Sequence, residues 1–311
     1  METTNIANAS SIPEILRAHA QWLQDRLEGK PGEGRCVLDG ATLNGMNLTG
    51  ADLESAIIQG TALLDAELSD AKLSRAVIEA ADFQRALLGR ADFSEARIAE
   101  SDFGSAWMSE AALTDAEIRN TSFHKSNLRS ARFQGALIES CKFQGATVSA
   151  ACFNHSRIKL CDFSAADFSD AQFVRAQMEG CRFLGANGPD ANFSNARLKG
   201  CDFARADLAR ARFQHADLTG SQLDRVRLRE ADLREAQLGS VILGRADLTG
   251  ARLRGALLLA ADLRGADLRG ARELTSQQLA QARTDQYTIL PNGSPGPYRK
   301  NSGAERAAPR Q

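Results

Sequence analysis

Tryptophan and tyrosine are nearly missing from this 311-residue chain, with two of each. An aromatic stacking surface for single-stranded nucleic acid therefore has little to draw on. There is no excess charge of either sign, since 38 Lys+Arg face 39 Asp+Glu, so no global field pulls the protein toward nucleic acid or an anionic membrane. Nowhere do 18 apolar residues run together, which excludes a membrane-spanning helix. The opening METTNIANASS has no basic region followed by an apolar stretch, so no secretory signal is expected. Six cysteines in so long a chain are too few for a disulfide framework, and a cytoplasmic, reduced protein is expected. What is present is 43% hydrophobic residues, mostly alanine, leucine and 14 phenylalanines, enough to bury a core.

Those residues fall on a period of five. From Ala51 the chain reads ADLES AIIQG TALLD AELSD AKLSR, and the register holds from Cys36 to Gly270, 47 pentads without an insertion. The central residue (38, 43, 48 and on to 268) is Leu, Ile, Phe, Met or Val in 46 of 47, and Gly188 is the exception. The first residue is Ala in 33 of 47, and all 14 Phe are central. Five residues turn a helix by about 500°, so an apolar stripe would wander around its axis. Five is odd, so on a strand successive central residues would point to opposite faces. A chain that bends once per pentad satisfies the pattern, with a large and a small residue inward and three residues outward.

The number of sides is also written in the sequence. First positions 41, 61 and on to 261 are non-Ala in 9 of 12 cases, Thr61, Ser101, Thr121, Cys141, Cys161, Cys181, Cys201, Ser221 and Val241, against 5 of the other 35. Seven Phe lie in the column 83–203 and six in the opposite column 93–213, with only Phe168 elsewhere. Outward Lys142, Asp162, Arg182 and Asp202 alternate in sign every 20 residues, as stacked neighbours should. The coil has four sides.

These A(D/N)LXX pentads resemble the pentapeptide-repeat family over 235 of the 311 residues. The resemblance implies an all-β solenoid, a right-handed quadrilateral β-helix with a short α-helical cap at each end. About 12 coils at a strand-like spacing of roughly 4.8 Å give a rod on the order of 55 Å. The expected organisation is an N-terminal helical cap over 1–35, the β-helix over 36–270, a C-terminal helical cap over 271–290 and a disordered tail over 291–311. In the first cap, Ile12, Ile15, Leu16, His19, Trp22, Leu23 and Leu27 have helical spacing. Ser11 and Glu14 form a capping box, and Gly29 with Pro31 ends the helix. Thr275 to Gln278 repeats the box before Leu279. ANGPD at 186–190 predicts a local kink or bulge, since Gly188 lacks the core side chain and Pro189 follows.

Little of the chain looks like chemistry. Cys141, Cys161, Cys181 and Cys201 stack as if for a metal or redox role, yet they read more simply as polarisable filler in a slot wider than Ala requires. Outward Cys152 is the repeat thiol expected to react. His19 sits on the cap, while His124, His155 and His215 are scattered and too far apart for a zinc ion. The recurrent second-position Asp or Asn bonds local backbone at a turn. No phosphate loop, nucleophile elbow or dinucleotide fingerprint occurs. Hexapeptide-repeat β-helices include acyltransferases that use an interfacial His, but here no loop protrudes to build a pocket. No catalytic, cofactor-binding or metal residue, no cofactor and no small-molecule substrate is expected.

Surface charge remains. Residues 36–120 carry a net −9 and residues 121–270 a net +6, with Arg205, Arg225 and Arg245 in one column and Arg227, Arg229 and Arg234 nearby. The reading adopted is a non-enzymatic, bacterial and cytoplasmic module that binds another protein through rigid faces. The resemblance also implies an alternative, a mimic of duplex DNA that binds DNA gyrase or topoisomerase IV and confers inhibitor resistance. Asp52, Glu54, Asp82, Asp92, Asp102, Glu110 and Glu117 would supply its line of negative charge. Direct nucleic-acid binding by the basic half lacks exposed aromatics. Partner identity and oligomeric state are not readable from the sequence.

Overall fold

The computed structural model describes residues 12–30 and 32–307. They form two compact units that meet in sequence between Cys152 and Phe153, within the repeat. Each is a four-sided parallel β-solenoid, the right-handed quadrilateral β-helix implied by the repeat. Unit 1 contains helix α1 (Ile12–Leu27) and strands β1 (Val37–Asp39), β2 (Ile57–Gln59), β3 (Val77–Glu79), β4 (Arg97–Ala99), β5 (Glu117–Arg119) and β6 (Leu137–Glu139). Unit 2 contains β7 (Arg157–Lys159), β8 (Gln177–Glu179), β9 (Arg197–Lys199) and helix α2 (Ser276–Gln281). Partners are 20 residues apart throughout, as in Leu38 with Ile58 and Met178 with Leu198. A coil is therefore a strand side (36–40 in the first), then second (41–45), third (46–50) and fourth (51–55) sides.

The turns show why five residues suffice. The fifth residue adopts a left-handed conformation, φ 55° at Asp65 and 56° at Arg85, which side chains other than glycine's disfavour. The neighbouring coil holds it there: the Asp65 amide donates to the Gln84 carbonyl at 3.0 Å. The first residue of the next pentad then closes the corner, Ala51 N–H to Leu48 carbonyl at 3.0 Å and Ala56 to Leu53 at 3.0 Å. Second-position Asp and Asn accept the amide two residues on, Asp92 from Ser94 at 2.9 Å and Asp202 from Ala204 at 2.9 Å. The recurrent acid is thus a turn device, as its spacing suggested.

The corner after each strand is built differently, and this explains the column of Thr, Ser and Cys. Among the described residues no backbone turn bond closes that corner from coil to coil until Ser221. Side chains serve instead. Thr61 Oγ1 donates to Leu38 O at 2.7 Å, Ser221 Oγ to Leu198 O at 2.5 Å, and Cys141 Sγ to Glu139 O at 3.3 Å. Ser101 Oγ also accepts the Ala81 amide at 3.1 Å. The cysteines are more than filler, because each replaces a hydroxyl as a weak donor to a strand-end carbonyl. At Val241 and Ala261 the backbone turn closes the corner without help from the side chain, which is apolar there.

Inside, the central residues are buried. Unit 1 stacks Phe83, Phe103, Phe123 and Phe143 with centroids 4.6, 5.2 and 4.8 Å apart. Unit 2 has two stacks, Phe163–Phe183–Phe203 and Phe153–Phe173–Phe193–Phe213, which meet edge to face. The bulge expected at Gly188 is absent. The ladder runs through, with Gly188 N–H to Asp207 O at 2.7 Å and Asp190 N–H to Ala209 O at 2.9 Å. A Cβ on Gly188 would stand 1.9 Å from Phe168 Cε2, so Phe168, the phenylalanine outside both columns, fills the space of two core positions. Pro189 fits because the ladder bonds on either side of it are made by the amides of Gly188 and Asp190, and its own position needs no ladder donor. Asn187 uses its side chain otherwise, donating from Nδ2 to Asp167 at 3.1 Å.

Each unit has its own cover. In unit 1, α1 places His19, fully buried, over the first coil, where Nδ1 accepts the Cys36 amide at 3.0 Å. Trp22 stacks on His19 at 5.4 Å, and the guanidinium groups of Arg26 and Arg35 lie over its ring. Arg26 and Arg35 also bond the Ser55 hydroxyl and carbonyl. Leu27, expected on the buried stripe, is 85% exposed at the last residue of the helix. Ser11 and Pro31, the outer halves of the expected start and stop signals, lie outside the described residues. Burial lowers the His19 pKa from its ordinary 6.5, opposed in part by Asp52 and the Glu54 carbonyl. The unfolded chain therefore takes up a proton near pH 6.5 that the docked cap refuses until lower pH, so stability is full above about pH 6.5 and is lost as pH falls toward the lowered native value. Exchange protection of the Cys36 amide should drop between pH 8 and pH 5.5, and His19→Gln should flatten that dependence. An equal pH dependence in both proteins would remove His19 as its cause.

In unit 2, Thr275 caps α2 with the complete capping box that the sequence suggests. Gln278 Nε2 donates to Leu253 O at 2.8 Å and Ala256 O at 2.9 Å, carbonyls that have no further coil to serve. The expected disordered tail is corrected over 291–307. Gly296 N–H bonds Thr288 O at 2.7 Å, Tyr298 Oη bonds Ser276 at 2.7 Å and Glu305 at 3.1 Å, and Ala304 is buried. A composition rich in Pro and Gly suits this flap because it is a run of turns, anchored by the aromatic Tyr298.

Candidate interaction surface

The residues with chemical potential are dispersed. Among the described residues no group of three or more His, Cys, Asp or Glu is placed to hold a metal ion. Five of the six cysteines are buried and Cys152 is half-buried. Burial pushes the Cys36 thiol up to about 12. The Cys201 thiol is also held up, by the Cys181 thiol beside it and by burial. His215 meets one carboxylate, Glu235, at 3.2 Å. No helix among the described residues is long and apolar enough to cross a membrane.

The seven carboxylates expected to form one line of negative charge do not. The 20-residue register puts Asp82 and Asp102 on the second side, Glu110 on the third, Asp52, Glu54 and Asp92 on the fourth and Glu117 on the strand side. Asp52 pairs with Lys72 at 3.1 Å, Glu54 with Arg75 at 3.4 Å and Glu117 with Arg97 at 3.8 Å. Asp82, Asp92 and Asp102 each accept a turn amide. Among the cations singled out, Arg227, Arg229 and Arg234 pair with Asp207, Asp247 and Asp232 at 3.3, 2.8 and 2.6 Å. Arg205, Arg225 and Arg245 do stack in one column of the second side.

An exposed apolar pair lies on one wall of unit 1. On the third side of unit 1, Leu87 and Trp107 occupy second positions of adjacent coils, bridged to each other, and are 45% and 55% exposed. Gly89 opens room beside them: a Cβ there would lie 3.9 Å from Trp107 Cδ1. Glu67 and Asn127 occupy the same column on either side. Trp107 was legible, since AWMSE places a tryptophan where other pentads carry Asp or Asn, but attention to inward positions hides it. A partly exposed tryptophan beside an exposed leucine is the composition of an interface anchor.

The repeat that builds these walls places the chain in a family. The model for pentapeptide repeats matches in eight copies, over residues 36–75, 76–115, 106–145, 141–185, 166–205, 190–225, 206–245 and 242–272. The protein belongs to the pentapeptide-repeat family. Among solved structures it is similar to HetL, a pentapeptide repeat protein involved in heterocyst differentiation regulation in the cyanobacterium Nostoc sp. strain PCC 7120. That match has 23% identity over 88% of this chain and 97% of that one, with a TM-score of 0.22. It is also similar to QnrB1, a plasmid-mediated fluoroquinolone resistance protein, with 19% identity over 61% and 92% and a TM-score of 0.27. A pentapeptide repeat protein of the Arabidopsis thaliana thylakoid lumen matches at 23% identity over 35% and 68%, with a TM-score of 0.16. Comparison with curated proteins finds no match.

Proposed function

We propose that this pentapeptide-repeat protein is a non-enzymatic interaction module that binds another protein through the third side of unit 1. The observation that carries the reading is the Leu87–Trp107 pair, apolar and exposed on a wall whose second positions otherwise favour polar groups. The wall is rigid because the coils around Leu87 and Trp107 are bonded to one another, Leu87 N–H to Ala66 O at 2.9 Å, Leu88 N–H to Trp107 O at 2.7 Å and Met108 N–H to Asn127 O at 2.7 Å, so little ordering entropy opposes binding. Binding as a mimic of duplex DNA is not favoured, because the candidate carboxylates are divided among four sides.

The test is quantitative capture of the partner from host lysate by the tagged full chain, alongside Trp107→Ala with Leu87→Ala. Truncating an anchor of this kind costs about 2 kcal/mol or more, so the double variant should bind more than about 30-fold more weakly. In a Trp22→Phe background the emission of Trp107 should shift to the blue when the partner is added. Equal recovery by the double variant would remove this patch as the binding surface.

A further inference from the structure

We infer that the second side of unit 2 is a docking site for an acidic α-helical segment of a partner protein, recognised by Arg205, Arg225 and Arg245. This rests on the reading above and adds a second surface with a defined partner chemistry.

The arginine column differs from the other charged fifth positions in its length. Asp65–Arg85 at 2.8 Å, Asp70–Arg90 at 2.6 Å, Arg75–Glu95 at 3.1 Å and Asp190–Arg210 at 2.5 Å are ion pairs between coils, and where like charges do meet at fifth positions, at Glu95–Asp115 and Asp170–Asp190, the run is only two residues long. Here three like charges stand one above another, an arrangement that costs stability when directly opposed. Arg225 has Asp224 at 3.5 Å, whereas Arg205 and Arg245 make no side-chain hydrogen bond or ion pair among the described residues.

A second observation lies beside the column. Arg245 borders an open trough of about 870 Å³. Its floor is low at Gly244 and Gly265, and Ile242 (37% exposed) and Tyr287 (71% exposed) give it apolar walls. The trough also holds Asp224, Asp262 and Asp285, of which Asp262 is paired with Arg264 and Asp285 accepts the Gly265 amide, so the unpaired positive charge is confined to the arginine column at its edge and the neighbouring walls are apolar. A protein segment with discrete carboxylates and an apolar stripe fits all of these features.

Spacing selects a helix. The arginines repeat at roughly 4.8 Å, so the outer two lie about 10 Å apart. Helix residues i and i+7 are separated by about 10.5 Å along the axis, with i+3 or i+4 between them. Same-face residues of an extended strand repeat at about 6.6 Å and fall out of step.

The test uses the full chain and a fluorescent, helix-stabilised peptide of about 15 residues, with Glu at i, i+3 and i+7 and Leu on the adjacent stripe. The control peptide has the same composition with its Glu residues out of register. The in-register peptide should bind at least about tenfold more tightly, and Arg205→Glu with Arg245→Glu should remove that advantage. Glu95, Glu230 and Glu235 already hold the same left-handed conformation, so the reversed side chains are compatible with the turn. Where the reversed variant unfolds, Arg205→Gln with Arg245→Gln decides the case. Lys199→Glu, on the strand side, should change affinity less than about twofold. Equal binding of both peptides, a loss no larger than that of Lys199→Glu, or displacement of the peptide by a lower concentration of duplex DNA would each overturn the inference. Trp107→Ala should leave peptide binding unchanged. Failure of the peptide test with Trp107-dependent capture intact overturns this site alone.

Discussion

Gly188→Leu, which installs the residue that the same column carries at Leu208, is expected to destabilise unit 2 by about 3 kcal/mol or more, the upper range of overpacking. The first atom of the new side chain would stand 1.9 Å from Phe168 Cε2, and no rotamer moves a Cβ. Phe168 cannot retreat easily, since its ring meets Phe173, Phe183 and Phe193 edge to face at 6.2, 5.3 and 6.1 Å. Phe168→Leu alone should cost about 1–2 kcal/mol through the void it leaves. The two together restore a leucine pair, and the double variant should fall within about 1 kcal/mol of the parent, a coupling of at least about 2 kcal/mol in urea denaturation. Additive losses would show that Gly188 is present for some reason other than Phe168.

Phe183→Ala should be the second large effect, about 3–5 kcal/mol. The ring is fully buried, stacked between Phe163 at 4.9 Å and Phe203 at 4.6 Å, with Phe168, Phe173 and Phe193 at its edges. The alanine removes the transfer energy of the ring and leaves a cavity whose walls are themselves bonded coil to coil. Phe183→Leu should be far milder, because Leu223 and Leu243 fill the same column. Because repeats contact mainly their neighbours, amide exchange should quicken around Phe163 and Phe203 before it does around Leu248 and Leu268. A cost under about 1 kcal/mol for the alanine would mean that the stack can collapse around the gap.

Both predictions concern positions that the sequence marks and the structure interprets. Gly188 and Phe168 stand out as departures from their columns, yet their departures read as two separate facts until the coil register places one ring against the other. The polar first positions from Thr61 to Ser221 give the number of sides correctly, but the reason for them is the strand corner, whose hydrogen bonding no period reveals. The tail shows the opposite failure. Its composition suggests disorder, and Tyr298 with Ser276, 22 residues apart, holds it folded instead. The column arithmetic that divides the seven carboxylates among four sides was available from the sequence alone. A list ordered along the chain conceals it.

The sequence by itself determined the fold, because a period of five with one large and one small inward residue admits no helix and no flat strand, and a 20-residue modulation of that period can only be a four-sided coil. It also determined the turn role of the recurrent Asp, which is local chemistry over two residues. Only the tertiary structure decided the size exchange between Phe168 and Gly188, the docking of His19 on Cys36, the folded tail and the faces that carry Trp107 and the three arginines. Each of these depends on atoms brought together across coils or from outside the repeat, and such contacts are set by the stacking distance and side-chain direction, which no five-residue pattern specifies.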